Sequence, residues 1–154
     1  MSGQAVEVIG VAELNAALVG LFTSVSAATR VATAQASHLL EREIKTTLAT
    51  SSHRRGTPTP SSPGEPPSLI TGTLRRSITV QGPVPLGMGR WMAEVGPTAV
   101  YGRIQELGGP TGRGGATVLP PRPFVQPSYE RLAATGALTN IYHSAWRTAI
   151  SRRH

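Results

Sequence analysis

The feature that most limits the fold is a proline-free run from Val11 to Thr50, which ends in a proline-rich segment. Large apolar residues recur along it three and four positions apart, at Leu14, Leu18, Leu21, Val25, Leu39, Leu40, Ile44 and Leu48. That spacing predicts one long α-helix over residues 11–50. Forty residues at 1.5 Å each would extend roughly 60 Å, which is longer than a domain of this size needs. We therefore expect the ends of the helix to project or to pack on a neighbour.

Small residues form a stripe along the same predicted helix. They fall four positions apart, at Ala16, Gly20, Ser24, Ala28, Ala32 and Ala36. Such a stripe makes a shallow groove that a second helix can approach closely. Glycine in mid-helix costs about 1 kcal/mol relative to alanine, so Gly20 favours a packing role. An alanine-rich helix also produces such stripes by chance, and both interpretations stay open here.

Proline, glycine and alternating apolar residues divide the remaining chain, which at 154 residues suits one domain. The predicted parts are an arm or strand (1–10), the helix (11–50), a proline-rich loop (51–70), a sheet region (71–126) and a C-terminal helix (127–154). Leu74–Gln81 and Arg90–Val95 alternate as two strands of a hairpin, joined by a turn at Gly82–Gly89. Val100–Leu107 fits either a strand or a helical turn, and Gly108–Thr117 is predicted to be a mobile glycine-rich loop. The fold class is therefore α+β, with both helices packed on a small antiparallel sheet.

The side chains that catalysis needs are scarce. The chain has no cysteine and no aspartate, and its eight glutamates are scattered. Glu41 and Glu43 lie two positions apart on a helix and so face different directions. His38 and Glu41 are one turn apart and could share a metal, but such a lone pair is far more often a solvated helix face. We expect no enzyme activity, no metal site and no cofactor.

The charge composition favours a covered, basic surface. Charged residues make up 15% of the chain, against roughly 25% in ordinary soluble domains. The net charge of +7 comes from fourteen arginines and one lysine against eight glutamates. A basic protein can contact nucleic acid, and the candidate contacts are Arg54, Arg55, Arg152 and Arg153. A basic nucleic-acid-binding protein is therefore the alternative function, although most arginines are scattered rather than clustered.

No targeting or membrane segment is visible in the sequence. A basic segment followed by an apolar run, as in a signal peptide, is not seen at the N-terminus. The longest strongly apolar stretch, Ala16–Phe22, is much shorter than the roughly 20 residues that span a bilayer. We expect no membrane partner and synthesis in the cytoplasm.

Three segments in this order resemble a known family. They are TGTLRRSI at 71–78, EVGPTAVYGRIQELGG at 94–109 and PPRPFVQPSYERL at 120–132. They are similar to the minor tail or tail-completion proteins of long-tailed bacteriophages, which join head to tail at the neck. Two residues depart from the family pattern: Gly102 stands where alanine is common, and Leu107 where an aromatic residue often follows the glutamate.

The resemblance implies a structural virion protein. Several copies, six by analogy with tail symmetry, would form a ring around the DNA channel and contact other neck and tail proteins, with non-specific DNA contact possible. Three arginines, Arg75, Arg76 and Arg122, suit bidentate pairing with carboxylates of adjacent subunits. Tyr101 and Phe124 suit apolar anchors at an interface or ordinary core packing. We also expect Glu106 to pair with an arginine.

Overall fold

The structure is a computed structural model that describes residues 10–50 and 61–152. The predicted arm up to residue 9, residues 51–60 of the proline-rich loop and three candidate residues, Arg54, Arg55 and Arg153, lie outside the described residues. In chain order the helices and strands are α1 (Val11–Thr50), α2 (Thr73–Arg76), β1 (Ile78–Gly87), β2 (Arg90–Pro97), α3 (Gly102–Leu107), β3 (Gly109–Thr111), β4 (Thr117–Leu119), α4 (Val125–Ala134) and α5 (Ala137–Ser151). The predicted α+β class is confirmed, with a small antiparallel sheet made of two separate hairpins.

Helix α1 runs unbroken over the forty residues predicted for it. Its buried residues begin only at Ala32 and continue to Leu48. The remaining elements pack on α1 from Phe22 onward, and the turns before Phe22 project from the fold. The predicted long N-terminal helix is confirmed.

The core is small and lies at the C-terminal end of α1. Ile44 and Leu48 of α1 meet Ile78 of β1 and Phe124, which precedes α4. Around them pack the half-buried side chains of Leu40, Leu74, Val95 and Val125. Burying an aliphatic or aromatic side chain contributes about 1.5–3 kcal/mol, so these few residues supply much of the fold's apolar stabilisation.

The first hairpin differs from the prediction at both ends. β1 and β2 are antiparallel, with Val80 opposite Val95 and Gly87 opposite Arg90. Thr73–Arg76 is a helical turn rather than the start of the strand, because Gly72 adopts a positive φ of 72° and its carbonyl accepts the Arg76 N–H. The predicted turn at Gly82–Gly89 was also wrong, since β1 continues through this proline-containing stretch to Gly87. Proline is tolerated there because an edge strand leaves alternate N–H groups without a ladder partner.

Two further predictions are corrected in the C-terminal half. The segment predicted to be a mobile glycine-rich loop forms a second hairpin, in which β3 pairs with β4 and a short 3-10 turn at Arg113–Gly115 connects them. The predicted single C-terminal helix is two helices, α4 and α5. They separate at Gly136, whose φ of 68° is left-handed and ends a helix at little cost for glycine.

Candidate assembly surfaces

Glu106 is a structural cap, which corrects the prediction that it pairs with an arginine. Its carboxylate accepts the backbone N–H groups of Phe124 at 2.7 Å, Val125 at 3.0 Å and Gln126 at 3.0 Å. These are N–H groups at the start of α4, where the helix itself supplies no acceptor. A negative charge is also favoured there by the helix dipole. Glu106 therefore fastens α3 to the N-terminus of α4.

Two of the predicted interface residues lie inside the fold. Phe124 is fully buried in the core, so core packing rather than an interface explains it. Arg122 is only 7% exposed, and its Nε donates to the carbonyl of Ser61 at 3.1 Å. Its own N–H donates to the Gln105 carbonyl at 2.7 Å. Arg122 thus ties the end of the proline-rich loop to α3, and it is not available to a neighbouring subunit.

The other predicted interface residues are at the surface. Arg75 and Arg76 are exposed, and the Nε of Arg75 donates to the Lys45 carbonyl at 3.1 Å. Tyr101 is 43% exposed at the start of α3. Arg152, a candidate DNA contact, is exposed at the end of α5. These positions permit contact with a partner.

The projecting end of α1 carries a run of exposed apolar residues. Its large apolar residues are between 50% and 66% exposed, at Val11, Leu14, Leu18, Val19 and Phe22. Phe22 lies beside Gly89 in the turn of the first hairpin, where a β-carbon would come within 3.3 Å of the Phe22 ring. The other four side chains, Val11, Leu14, Leu18 and Val19, are at least half exposed. Contiguous apolar patches of this kind mark interaction sites.

Only part of the small-residue stripe packs closely against another helix. Ala32 and Ala36, at its C-terminal end, are buried, and α5 lies against this part of α1. Ala16, near its N-terminal end, is exposed. The expectation of a closely packed helix therefore applies to the last two turns of the stripe.

Three hydroxyl side chains on α1 accept hydrogen bonds from aromatic side chains of β2 and α5. The indole N–H of Trp91 on β2 donates to Ser26 Oγ at 3.3 Å. From α5, the Trp146 indole N–H donates to Thr29 Oγ1 at 2.9 Å, and the Tyr142 hydroxyl donates to Thr33 Oγ1 at 3.2 Å. Buried aromatic rings with a polar atom usually find such a partner. Ser26, Thr29 and Thr33 therefore fix how β2 and α5 stand on α1.

Between β2 and α5 runs a groove of about 680 Å³, which we call the aromatic groove. Four of the chain's seven aromatic residues line it, namely Trp91, Tyr129, Tyr142 and Trp146. Its floor is the face of α1 with Thr33, Ala36, Ser37 and Leu40. The sequence analysis missed this groove. The available signal was hydroxyl residues at helical spacing along α1, at positions 26, 29, 33 and 37.

One long side of the aromatic groove is the free edge of β2. Within residues 10–50 and 61–152, β2 pairs with β1 and with no other strand. Its other edge faces α5 across the groove, since Trp91, Ala93 and Val95 line the same cavity as Tyr142 and Trp146. An unpaired edge presents backbone N–H and C=O groups to any extended segment that enters.

The ionisable side chains of α1 form a surface pair and no metal site. Lys45 and His38 donate to the carboxylate of Glu41, at 2.6 Å and 3.0 Å, and these bonds lower the pKa of Glu41. Across the part of the chain that the structure describes, no three histidine, cysteine, aspartate or glutamate side chains are grouped to hold a metal ion. Comparison with known proteins finds no matching family model, curated protein or solved structure.

Length and composition also admit a membrane-spanning role for α1. Its most apolar 18-residue window has a mean hydropathy of 1.5, and none of that window is buried. One such helix near an N-terminus is weak evidence, because signal sequences and core helices satisfy the same criterion. The first turns of α1 contain Glu13 and Asn15.

Proposed function

We propose that this chain is a structural protein of the neck of a long-tailed bacteriophage. Several copies, six by analogy with the tail, form a ring that completes the tail and joins it to the head around the DNA channel. The observation that carries the proposal is the exposed apolar end of α1, which a lone soluble molecule has no reason to present to water. The three motif segments that resemble the neck family support the same assignment.

The projecting end of α1 and the aromatic groove suit a ring because they have different shapes and lie at different places on the chain. A heterologous contact joins one patch of a subunit to a different patch of the next, and it closes into a ring when the rotation allows. The projecting end of α1 offers a convex apolar surface, and the aromatic groove offers a concave one. Two such surfaces at different places on one chain can form a heterologous contact between adjacent subunits.

A protein partner accounts for α1 better than a lipid bilayer. Glu13 and Asn15 lie in the same turns as the exposed apolar residues, and both would have to be desolvated in lipid. At a protein interface the same groups can stay at the polar rim. The proposal therefore keeps the expectation of no membrane partner.

Deletion of the gene in its phage tests the proposed function. We expect particles without this protein to contain heads and tails that fail to join, or tails of improper length, in electron micrographs. Supplying the gene in trans should restore infectivity. Complete, infectious particles in the absence of the protein would show that the proposal is wrong.

A titration with duplex DNA separates this proposal from the alternative, a basic nucleic-acid-binding protein. For a ring that merely surrounds DNA, we expect weak binding at moderate salt. A DNA-binding protein that neutralises several phosphates binds tightly and loses affinity steeply between two salt concentrations. Tight binding with a steep salt dependence would favour the alternative.

A further inference from the structure

We infer that residues 5–9 of one copy bind in the aromatic groove of a neighbouring copy, as a third strand on the free edge of β2. The inference rests on the proposed ring, and it identifies the contact between adjacent subunits. Addition of an extended segment to a sheet edge, between a strand and a helix, is a recurring mode of recognition. Backbone hydrogen bonds provide the affinity for such a segment, and pockets that accept every second side chain provide the specificity.

The groove has the parts that strand addition needs. β2 contains no proline before its last residue, Pro97, so its outward N–H groups are all present. β1, by contrast, carries Pro83 and Pro85, which lack an N–H and so blunt a sheet edge. The opposite wall, α5, presents Tyr142 and Trp146 to the incoming side chains. An added strand would also relieve the marginal stability of a two-stranded sheet.

The segment at residues 5–9 has the right composition. Its sequence is AVEVI, in which two valines alternate with Ala5, Glu7 and Ile9. β-Branched residues favour strands, and alternation places Val6 and Val8 together on one face. Glu7 is its one charged residue.

The occupant must come from another copy, because the segment of the same chain cannot reach. The near end of the groove is at Trp91, whose indole bonds Ser26, 15 residues along α1 from Val11 and roughly 22 Å away. A fully extended chain covers at most about 3.6 Å per residue. Residue 5 is six residues before Val11 and reaches about 22 Å at most, and residue 9 reaches only about 7 Å, so the segment cannot lie along the groove of its own chain. The projecting end of α1 instead carries the segment outward, to a neighbour.

A peptide titration on the full chain tests the inference. The probe is a synthetic peptide of residues 2–10, and the readout is tryptophan emission, since both tryptophans of the chain line the groove. We expect a saturable blue shift as the peptide excludes water from the two indoles. A control peptide with Val6→Pro and Val8→Pro, which removes two N–H donors, should bind at least about tenfold more weakly. No shift at about 1 mM peptide, the limit of weak specific binding, or equal shifts for both peptides, would overturn the inference.

Cysteine crosslinking then locates the peptide, because the chain has no cysteine of its own. Peptides with Val6→Cys or Val8→Cys are oxidised with the full chain carrying Ala93→Cys on β2. The matched control carries Thr79→Cys on β1. We expect a disulfide adduct with Ala93→Cys in far greater yield than with Thr79→Cys. Equal yields, or preference for β1, would refute the assignment to the β2 edge.

A phage experiment separates failure of this inference from failure of the proposed function. The Val6→Pro, Val8→Pro double variant is introduced into the phage beside the complete deletion. We expect both to abolish joining of heads and tails. If the deletion blocks assembly but the double variant assembles normally, the inference is wrong and the proposed function stands. If the deletion itself leaves infectious particles, the proposed function fails.

Discussion

The carboxylate of Glu106 allows a quantitative test of how the fold is held. Three backbone N–H groups at the start of α4 converge on it, at 2.7, 3.0 and 3.0 Å. A hydrogen bond to a charged group contributes about 1.5–3 kcal/mol net, and a charge at a helix N-terminus adds about 0.3–1 kcal/mol. Glu106 is only half-buried, so water can replace part of this stabilisation in the alanine variant. We therefore expect Glu106→Ala to lower the free energy of unfolding by about 2–4 kcal/mol.

Urea unfolding followed by circular dichroism measures the effect. Glu106→Gln keeps an amide oxygen but loses the charge, so its loss should be about half as large. For a chain of this length the alanine variant should lower Tm by about 5–12 °C. The matched control is Glu130→Ala on α4, the helix that Glu106 caps; the carboxylate of Glu130 accepts from the exposed Gln126 side chain. If Glu106→Ala destabilises no more than Glu130→Ala, the capping role is refuted.

Three further substitutions test the core, the helix break and a surface pair. Phe124→Ala should lower the free energy of unfolding by about 3–5 kcal/mol, and Phe124→Leu by clearly less; equal losses would contradict its place in the core. Gly136→Ala should cost about 1–2 kcal/mol for the left-handed backbone alone, because no atom lies closer than 4.0 Å to the added carbon; no loss in urea unfolding would mean that α4 and α5 join differently. Glu41→Gln should cost about 0.3–0.5 kcal/mol at pH 7. Because the pKa of Glu41 is lower in the folded chain, this difference should vanish as pH falls through that pKa, and an unchanged difference at pH 3 would count against the ion pair.

Helix α1 and the fold class could be predicted because their signals are local. A proline-free run with apolar residues at helical spacing leaves few alternatives. The break at Gly136 had a signal too, a glycine after an apolar run, but the apolar stripe continued across it and suggested one helix. In β1, Pro83 and Pro85 suggested a turn, because the sequence does not show that this strand lies at a sheet edge. These boundary errors come from tertiary context.

The roles of individual residues were harder to predict because their partners are mostly backbone groups. Glu106 binds three N–H groups and Arg122 binds a carbonyl, and backbone atoms have no signature in a sequence. A charged side chain therefore suggested an oppositely charged partner that the structure does not use. Phe124 remained ambiguous since core and interface favour the same aromatic residues. The aromatic groove depends on hydroxyls of α1 meeting indoles more than sixty residues away.

Because both walls of the aromatic groove are hydrogen-bonded to α1, an insertion or deletion in this helix would alter the groove. Ser26 holds β2, and Thr29 and Thr33 hold α5, so a single helix sets the distance between strand and helix. Loss or gain of one residue between Ser26 and Thr29 would rotate one anchor by about 100° relative to the others. The loops can vary in length without such an effect. We therefore expect insertions and deletions in the loops of this chain, and a constant number of residues between Ser26 and Thr33 of α1.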